Sequence, residues 1–310
     1  MNTSVLQFRG RHRTRLPLAL LCVLLLTSSA GSQSRITRIA VLDFGKTATG
    51  LRAAEEIRRM FLTKQPSSPG REFDLIDPDQ SRAAALGAGF EGSLNLTLQQ
   101  AQDLGAAIGC DFYFIGEAQT VRRSPSTKPI YFESYVSIFL VSTRTGRLVL
   151  WERPTVQSNS PEESEKALRA ILSAEETRRR FVVALRRAQE DERAERVAAI
   201  ENSPAIIEVM SDDDGDASKD VRAPRPYRRL KPPYPPTAAI AEVEVTVDVL
   251  LDIDARGEIE RVEIARWAGY GLDQSVIDTV RQMHFFPAMR DGVAIPMRVL
   301  LRYNFRKPPK

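Results

Sequence analysis

Hydrophobic residues follow three patterns along the chain. Up to about residue 153, short apolar runs suited to buried strands alternate with stretches of helical period. Residues 38–44 and 73–76 are strand-like, the second ended by Asp77-Pro78. Asp111 to Ala118, Ile130 to Val141 and Arg147 to Trp151 read as further strands, with Thr145-Gly146 as a turn. Leu51 to Leu62 places Leu51, Ile57, Met60 and Phe61 among charged residues, which predicts an amphipathic helix. Thr97 to Ile108 predicts a second helix, capped by Thr97 and stopped by Gly109.

Residues 161–200 change character. Pro161 suits a first helical turn, and Glu162, Glu163 and Glu165 suit the positive end of a helix. Leu168, Ile171, Leu172, Phe181 and Leu185 form an apolar stripe broken between Ser173 and Arg180. That predicts a helix or helix pair packed on the preceding domain, since the stripe is too broken for sustained heptads.

From Glu242 the period becomes two. Val243, Val245, Val247, Val249, Leu251 and Ile253 alternate mostly with acidic residues. Asp254-Ala255-Arg256-Gly257 turns into a strand with Ile259, Val262 and Ile264. Leu272, Val276, Ile277, Val280 and Met283 then recur at helical spacing, and Ile295 to Phe305 alternates again with Arg298, Arg302 and Arg306 on the polar face. Opposite charges on neighbouring strands attract, about 0.2–1 kcal/mol per pair. An antiparallel order with the first strand central is therefore expected, leaving the last strand as a free edge, where Pro296 is tolerated. The fold class is α+β: a mixed α/β domain at 36–155, a helical segment at 161–200, an acidic and then Pro-rich linker at 203–237, and a small β-β-α-β domain with a three-stranded antiparallel sheet at 238–306. The linker predicts two separately folding halves.

Charge sharpens this picture. The chain has 44 Lys+Arg and 40 Asp+Glu, but residues 1–30 hold Arg9, Arg11, Arg13 and Arg15 and no acid, so the remainder balances at 40 to 40. Nothing in that balance favours nucleic acid. Those arginines precede an apolar run from Leu16 to Leu26 and small residues Ser28-Ser29-Ala30, the layout of a secretory signal peptide over 1–30. The run is short for a membrane span, so a retained N-terminal anchor is the lesser alternative. Without the leader only His284 and Cys110 remain of their kinds, too few for an ordinary zinc site or an intramolecular disulfide. Alternation turns His284 outward. No enzyme, cofactor or metal is expected.

Two motifs fail on spacing. Gly45-Lys46-Thr47 follows a strand, but the first Gly of a phosphate loop falls on Ala40, inside that strand. The aspartates at 212–214 and 216 lack the first ligand and the closing Glu of a calcium loop. Asn95-Leu96-Thr97 fits a glycosylation sequon, though Thr97 as a cap accounts for it equally.

Two resemblances follow. Ile39 to Phe44, Gly109 to Gly116 and Thr143 to Leu148 resemble the periplasmic α/β domain of the curli-secretion lipoprotein (CsgG) family and the TolB N-terminal domain. The lipidated Cys and the pore-forming hairpins are missing, which implies an envelope-binding module. Tyr234-Pro235, the alternating strand through Ile253, Gly257, Leu272-Asp273, Phe285-Phe286-Pro287-Ala288, Gly292 and Phe305 resemble the TonB C-terminal domain over about 235–306. Ala238 to Ala241 and Ala268-Gly269 stand where that family has Gly-containing and Ser-Gly stretches. The resemblance implies a periplasmic protein that takes a peptide of an outer-membrane receptor or transporter onto its edge strand. The residues implied are Arg298, Val299, Leu300, Leu301, Arg302 and Tyr303, with Tyr234 and Pro235 at the entry. Arg298 and Arg302 would favour acidic flanks on the peptide. The alternative is an envelope assembly or scaffold protein that uses both domains only for docking, associated with membranes through its partners.

Overall fold

A computed structural model of the protein describes residues 36–62, 73–124, 126, 129–201, 208–211 and 221–307. The expected leader and the aspartates at 212–214 and 216 lie outside the described residues.

The N-terminal lobe runs β1 (Thr37–Val41), α1 (Ala48–Leu62), β2 (Phe73–Leu75), α2 (Pro78–Gly87), α3 (Leu98–Ile108), β3 (Phe112–Arg123), β4 (Tyr131–Ser142), β5 (Leu148–Glu152) and β6 (Thr155–Ser158). Its sheet has the order β2-β1-β3-β4-β5, with β6 extending the β5 edge along β4. β1 lies parallel to β2 and β3, and the later strands form an antiparallel meander. Both faces of the sheet are buried, which explains why its strands read as continuous apolar runs. Ile39, Val41, Phe112, Phe114, Ile138 and Leu140 face α1, α4 (Pro161–Leu172) and α5 (Glu175–Glu201). Ala40, Leu42, Tyr113, Ile115, Phe139 and Val141 face the other way.

The helix signals hold in detail. Thr97 and Gln100 close a reciprocal capping box on α3, and Gly109 ends it in the left-handed region at φ 78°. Leu168, Leu172, Phe181 and Leu185 are fully buried while Ile171 is exposed, and the helix breaks at Ser173-Ala174 between α4 and α5. One helix of this lobe is additional. Asp77-Pro78 does more than stop β2: the Asp77 carboxylate accepts from the N–H of Asp79 and Gln80 at 2.9 and 3.0 Å, and Pro78 occupies the first turn of α2.

The C-terminal lobe contains β7 (Glu208–Ser211), β8 (Val221–Arg222), β9 (Arg225–Pro226), α6 (Pro236–Ala241), β10 (Val245–Ile253), β11 (Ile259–Arg266), α7 (Leu272–Val280), β12 (Phe285–Phe286), β13 (Ala288–Arg290), β14 (Val293–Ile295) and β15 (Met297–Phe305). The antiparallel core order β11-β10-β15 places the first long strand in the centre. Val247, Val249, Leu251, Ile253, Val299 and Leu301 pack against Leu272, Val276 and Val280 of α7. At the β10–β11 turn Gly257 has φ +87°, and a Cβ there would lie 2.0 Å from the Phe285 carbonyl oxygen, so only glycine fits. Alternation also holds at Met283 and Phe285, both buried, and at His284, which is exposed.

The two lobes pack on each other rather than standing apart on a linker. The second face of the N-terminal sheet and the core of the C-terminal sheet belong to one hydrophobic cluster. The loop Trp267–Tyr270 makes the junction. Trp267, 2% exposed, stacks obliquely on Phe139 at 5.7 Å, and its indole N–H donates to the Gly146 carbonyl at 3.0 Å. Tyr270 packs on Trp151 at 4.9 Å and donates to Ser137 Oγ at 3.1 Å. Asn95 donates to the carbonyls of Thr246 and Trp267 at 2.9 and 2.7 Å, bridging the lobes. Gly269, at φ +74°, brings its backbone so close that a Cβ would sit 2.7 Å from the Phe139 and Trp151 rings.

Candidate docking edge

The edge begins with the charge pattern of the sheet. β10 pairs with β15 so that Asp248 faces Arg302 and Asp252 faces Arg298. Asp248, 4% exposed, accepts from Arg302 Nε at 2.8 Å and from Arg266 Nε of β11 at 3.1 Å. Asp252, 7% exposed, accepts from Arg298 Nη2 at 2.7 Å. The acidic and basic faces thus lie side by side as the alternation implied, and hydrogen bonds to Asp252 push the Arg298 pKa further up. Both guanidiniums are ion-paired on the outer face of the sheet, where Arg302 stays exposed.

Of the remaining edge residues, Val299, Leu301 and Tyr303 point into the core and offer only their backbone. Leu300 is half-buried on the outer face. The Arg302 carbonyl accepts from Arg229 Nη2 at 3.0 Å and so faces away from β10. On an antiparallel strand the N–H and C=O of one residue point the same way and alternate with the next residue. Arg298, Leu300 and Arg302 therefore carry the outward groups.

That edge is not free, which corrects the expectation. β7 lies parallel to β15, pairing Glu208, Val209, Met210 and Ser211 with Met297, Arg298, Val299 and Leu300. A strand drawn from the middle of the expected linker covers the first outward positions, and Arg229 covers the Arg302 carbonyl. β8 and β9 pair with β13 and β12, so other parts of that linker also fold onto the domain. Its Asp and Pro content disguised this. Only the short apolar run Ile206-Ile207 before Val209-Met210 signals a strand there. Tyr234 lies at the far end of β15, its ring 6.1 Å from that of Phe305 and its hydroxyl donating to the Val243 carbonyl, and Pro235 precedes α6 at the N-cap position.

A cavity of about 1220 Å³ opens between the lobes past the end of β1 and beside the middle of β3, lined by Leu42, Asp43, Phe90, Glu117, Val243 and Tyr270 among others. Its charges are partly satisfied. Arg58 and Arg82 bind Asp43 at 2.7 and 2.9 Å; burial opposes ionisation there, but these two partners win and lower its pKa. Among the described residues no group of three or more His, Cys, Asp or Glu is placed to hold a metal ion, and no helix is long and apolar enough to cross a membrane.

Residues 231–306 match the family model of the Gram-negative bacterial TonB protein C-terminal. This region is a TonB C-terminal-type domain, and proteins with it are envelope-associated interaction modules. Among solved structures, the chain is similar to the TonB C-terminal domain of Pseudomonas aeruginosa, at 21% identity over 33% of this chain and 96% of that one, with a TM-score of 0.26. It is also similar to the LpoB C-terminal domain of Salmonella enterica, at 16% identity over 40% of this chain and 84% of that one, with a TM-score of 0.25. PelC of Paraburkholderia phytofirmans matches at 11% identity over 45% and 87%, with a TM-score of 0.27. No curated protein matches the chain in sequence.

Proposed function

We propose that this protein is a non-enzymatic docking protein of the periplasm that takes an extended peptide segment of an outer-membrane transporter or another envelope protein onto the β15 edge. The supporting observation is that this edge already accepts a strand from outside the matched domain: β7 lies along it in parallel. Strand addition draws affinity from main-chain bonds, so the outward groups of Arg298, Leu300 and Arg302 are its working parts. A second reading, an assembly scaffold, gains support from the shared core. The TonB-type domain is seated on the N-terminal lobe instead of swinging on a long spacer, which suits holding a partner in place more than reaching across a compartment.

The test is capture from a Gram-negative outer-membrane extract by the purified chain. Leu300→Pro removes an outward N–H, whereas Leu300→Ala keeps it. Capture should be lost with proline and retained with alanine, with folding of both checked by circular dichroism. Equal capture by a folded proline variant would overturn strand addition.

A further inference from the structure

From the pairing of β7 with β15 we infer that residues 208–211 are an internal stand-in for the partner strand, and that a docking peptide must displace them. The inference rests on reading β15 as the docking edge. Three observations carry it. First, β7 lies outside residues 231–306, so the matched domain is complete without it. Second, β7 covers the outward positions at Arg298 and Leu300, and Arg229 takes the next carbonyl, at Arg302. A strand that uses the outward groups of Arg298 and Leu300 cannot pair with β15 without displacing it. Third, β7 has only four residues. So short a segment makes few backbone bonds, and a longer strand on the same edge makes more of them.

β7 also defines the partner. The pairing is parallel, so the incoming segment runs in the direction of β15, and it is an extended peptide with main-chain donors along at least five residues. Because Arg298 and Arg302 are already bonded to Asp252 and Asp248, an acidic flank is not required. The segment's own sequence, Glu208-Val209-Met210-Ser211, is a first approximation to what fits.

The experiment measures fluorescence polarisation of a labelled peptide with the sequence of residues 205–213, added to the full chain. Two variants move the equilibrium in opposite directions. Val209→Pro with Met210→Pro removes two consecutive N–H groups from β7 and should release it. Ser211→Cys with Leu300→Cys joins residues that pair across the two strands and should lock it once oxidised. The released variant should bind the peptide at least tenfold more tightly than the natural chain. The oxidised variant should bind at least tenfold more weakly, with reductant restoring the natural value. Equal affinity in all three would overturn the inference and make β7 a permanent edge cover. An oxidised variant that runs as a covalent dimer would also overturn it, because β7 would then pair between two copies. No outer-membrane partner enters this assay, so failure of capture from the extract would count against the proposed function alone.

Discussion

Cys110 is the plainest case of a side chain whose chemistry is decided by its surroundings. Burial pushes its thiol up to about 11, with Thr143 Oγ1 at 3.5 Å and the Gly105 carbonyl at 3.6 Å around the sulfur. A thiol reagent at pH 8 should therefore leave Cys110 unmodified in the folded chain and modify it fully in denaturant. Asp273 is the opposite kind of residue, a charge kept where burial resists it. Desolvation raises its pKa to about 6, against the pull of the Ala268 and Gly269 N–H groups, each 2.8 Å from a carboxylate oxygen. Since its folded pKa lies above the usual 3.8, its contribution to stability is full below pH 3.8 and is lost as pH rises through 6. Relative to Asp273→Asn, the natural chain should lose stability between pH 4 and 7, by at most about 3 kcal/mol. Denaturant titrations across that range check this, and a constant difference between the two proteins would refute it. Neither property could be read from the chain. The sequence shows a Cys after a Gly and an Asp after a Leu, and only their packing decides what they do.

At the level of elements, the legible features were those fixed locally. The cap at Thr97, the stop at Gly109 and the period-two strands each depend on neighbours a few residues away. The central position of β10 was legible for a different reason, because charge on the two outer faces had to be matched across strands. What escaped was pairing at a distance. β7 is four residues of weak alternation, and nothing nearby indicates that it will lie beside a strand almost ninety positions later. Asp77-Pro78 escaped because the same two residues that end a strand also begin a helix. The outer-face pairing makes its own prediction. Removing the Arg302 side chain leaves the buried Asp248 with Arg266 alone and should destabilise the fold by about 1–3 kcal/mol. Thermal unfolding of Arg302→Ala checks it. An unchanged midpoint would mean that Arg302 is available for a partner after all.

For the whole molecule, the decisive feature is the junction through Trp267. A TonB-type domain alone would need polar groups on the loop after its second long strand, yet here that loop is Trp267-Ala268-Gly269-Tyr270 and is buried throughout. Its burial joins two cores into one, so the lobes should unfold together in a single cooperative transition. Trp267→Ala removes the largest buried side chain of the molecule together with the bond to Gly146, and losses of this kind cost about 3–5 kcal/mol. Because the loss falls on the junction, the expected signature extends beyond a lower midpoint. The variant should show two separate transitions, with the β10–β11–β15 sheet melting apart from the N-terminal sheet. Limited proteolysis gives an independent reading. Cleavage between residues 212 and 220 should leave the two fragments of the natural chain bound together on gel filtration, held by Phe139, Trp151 and Tyr270 around Trp267 and, to a lesser extent, by β7 on β15. The same cleavage in Trp267→Ala should let them separate. Fragments of the natural chain that part at once would restore the picture of two independent halves and remove the support for a scaffold.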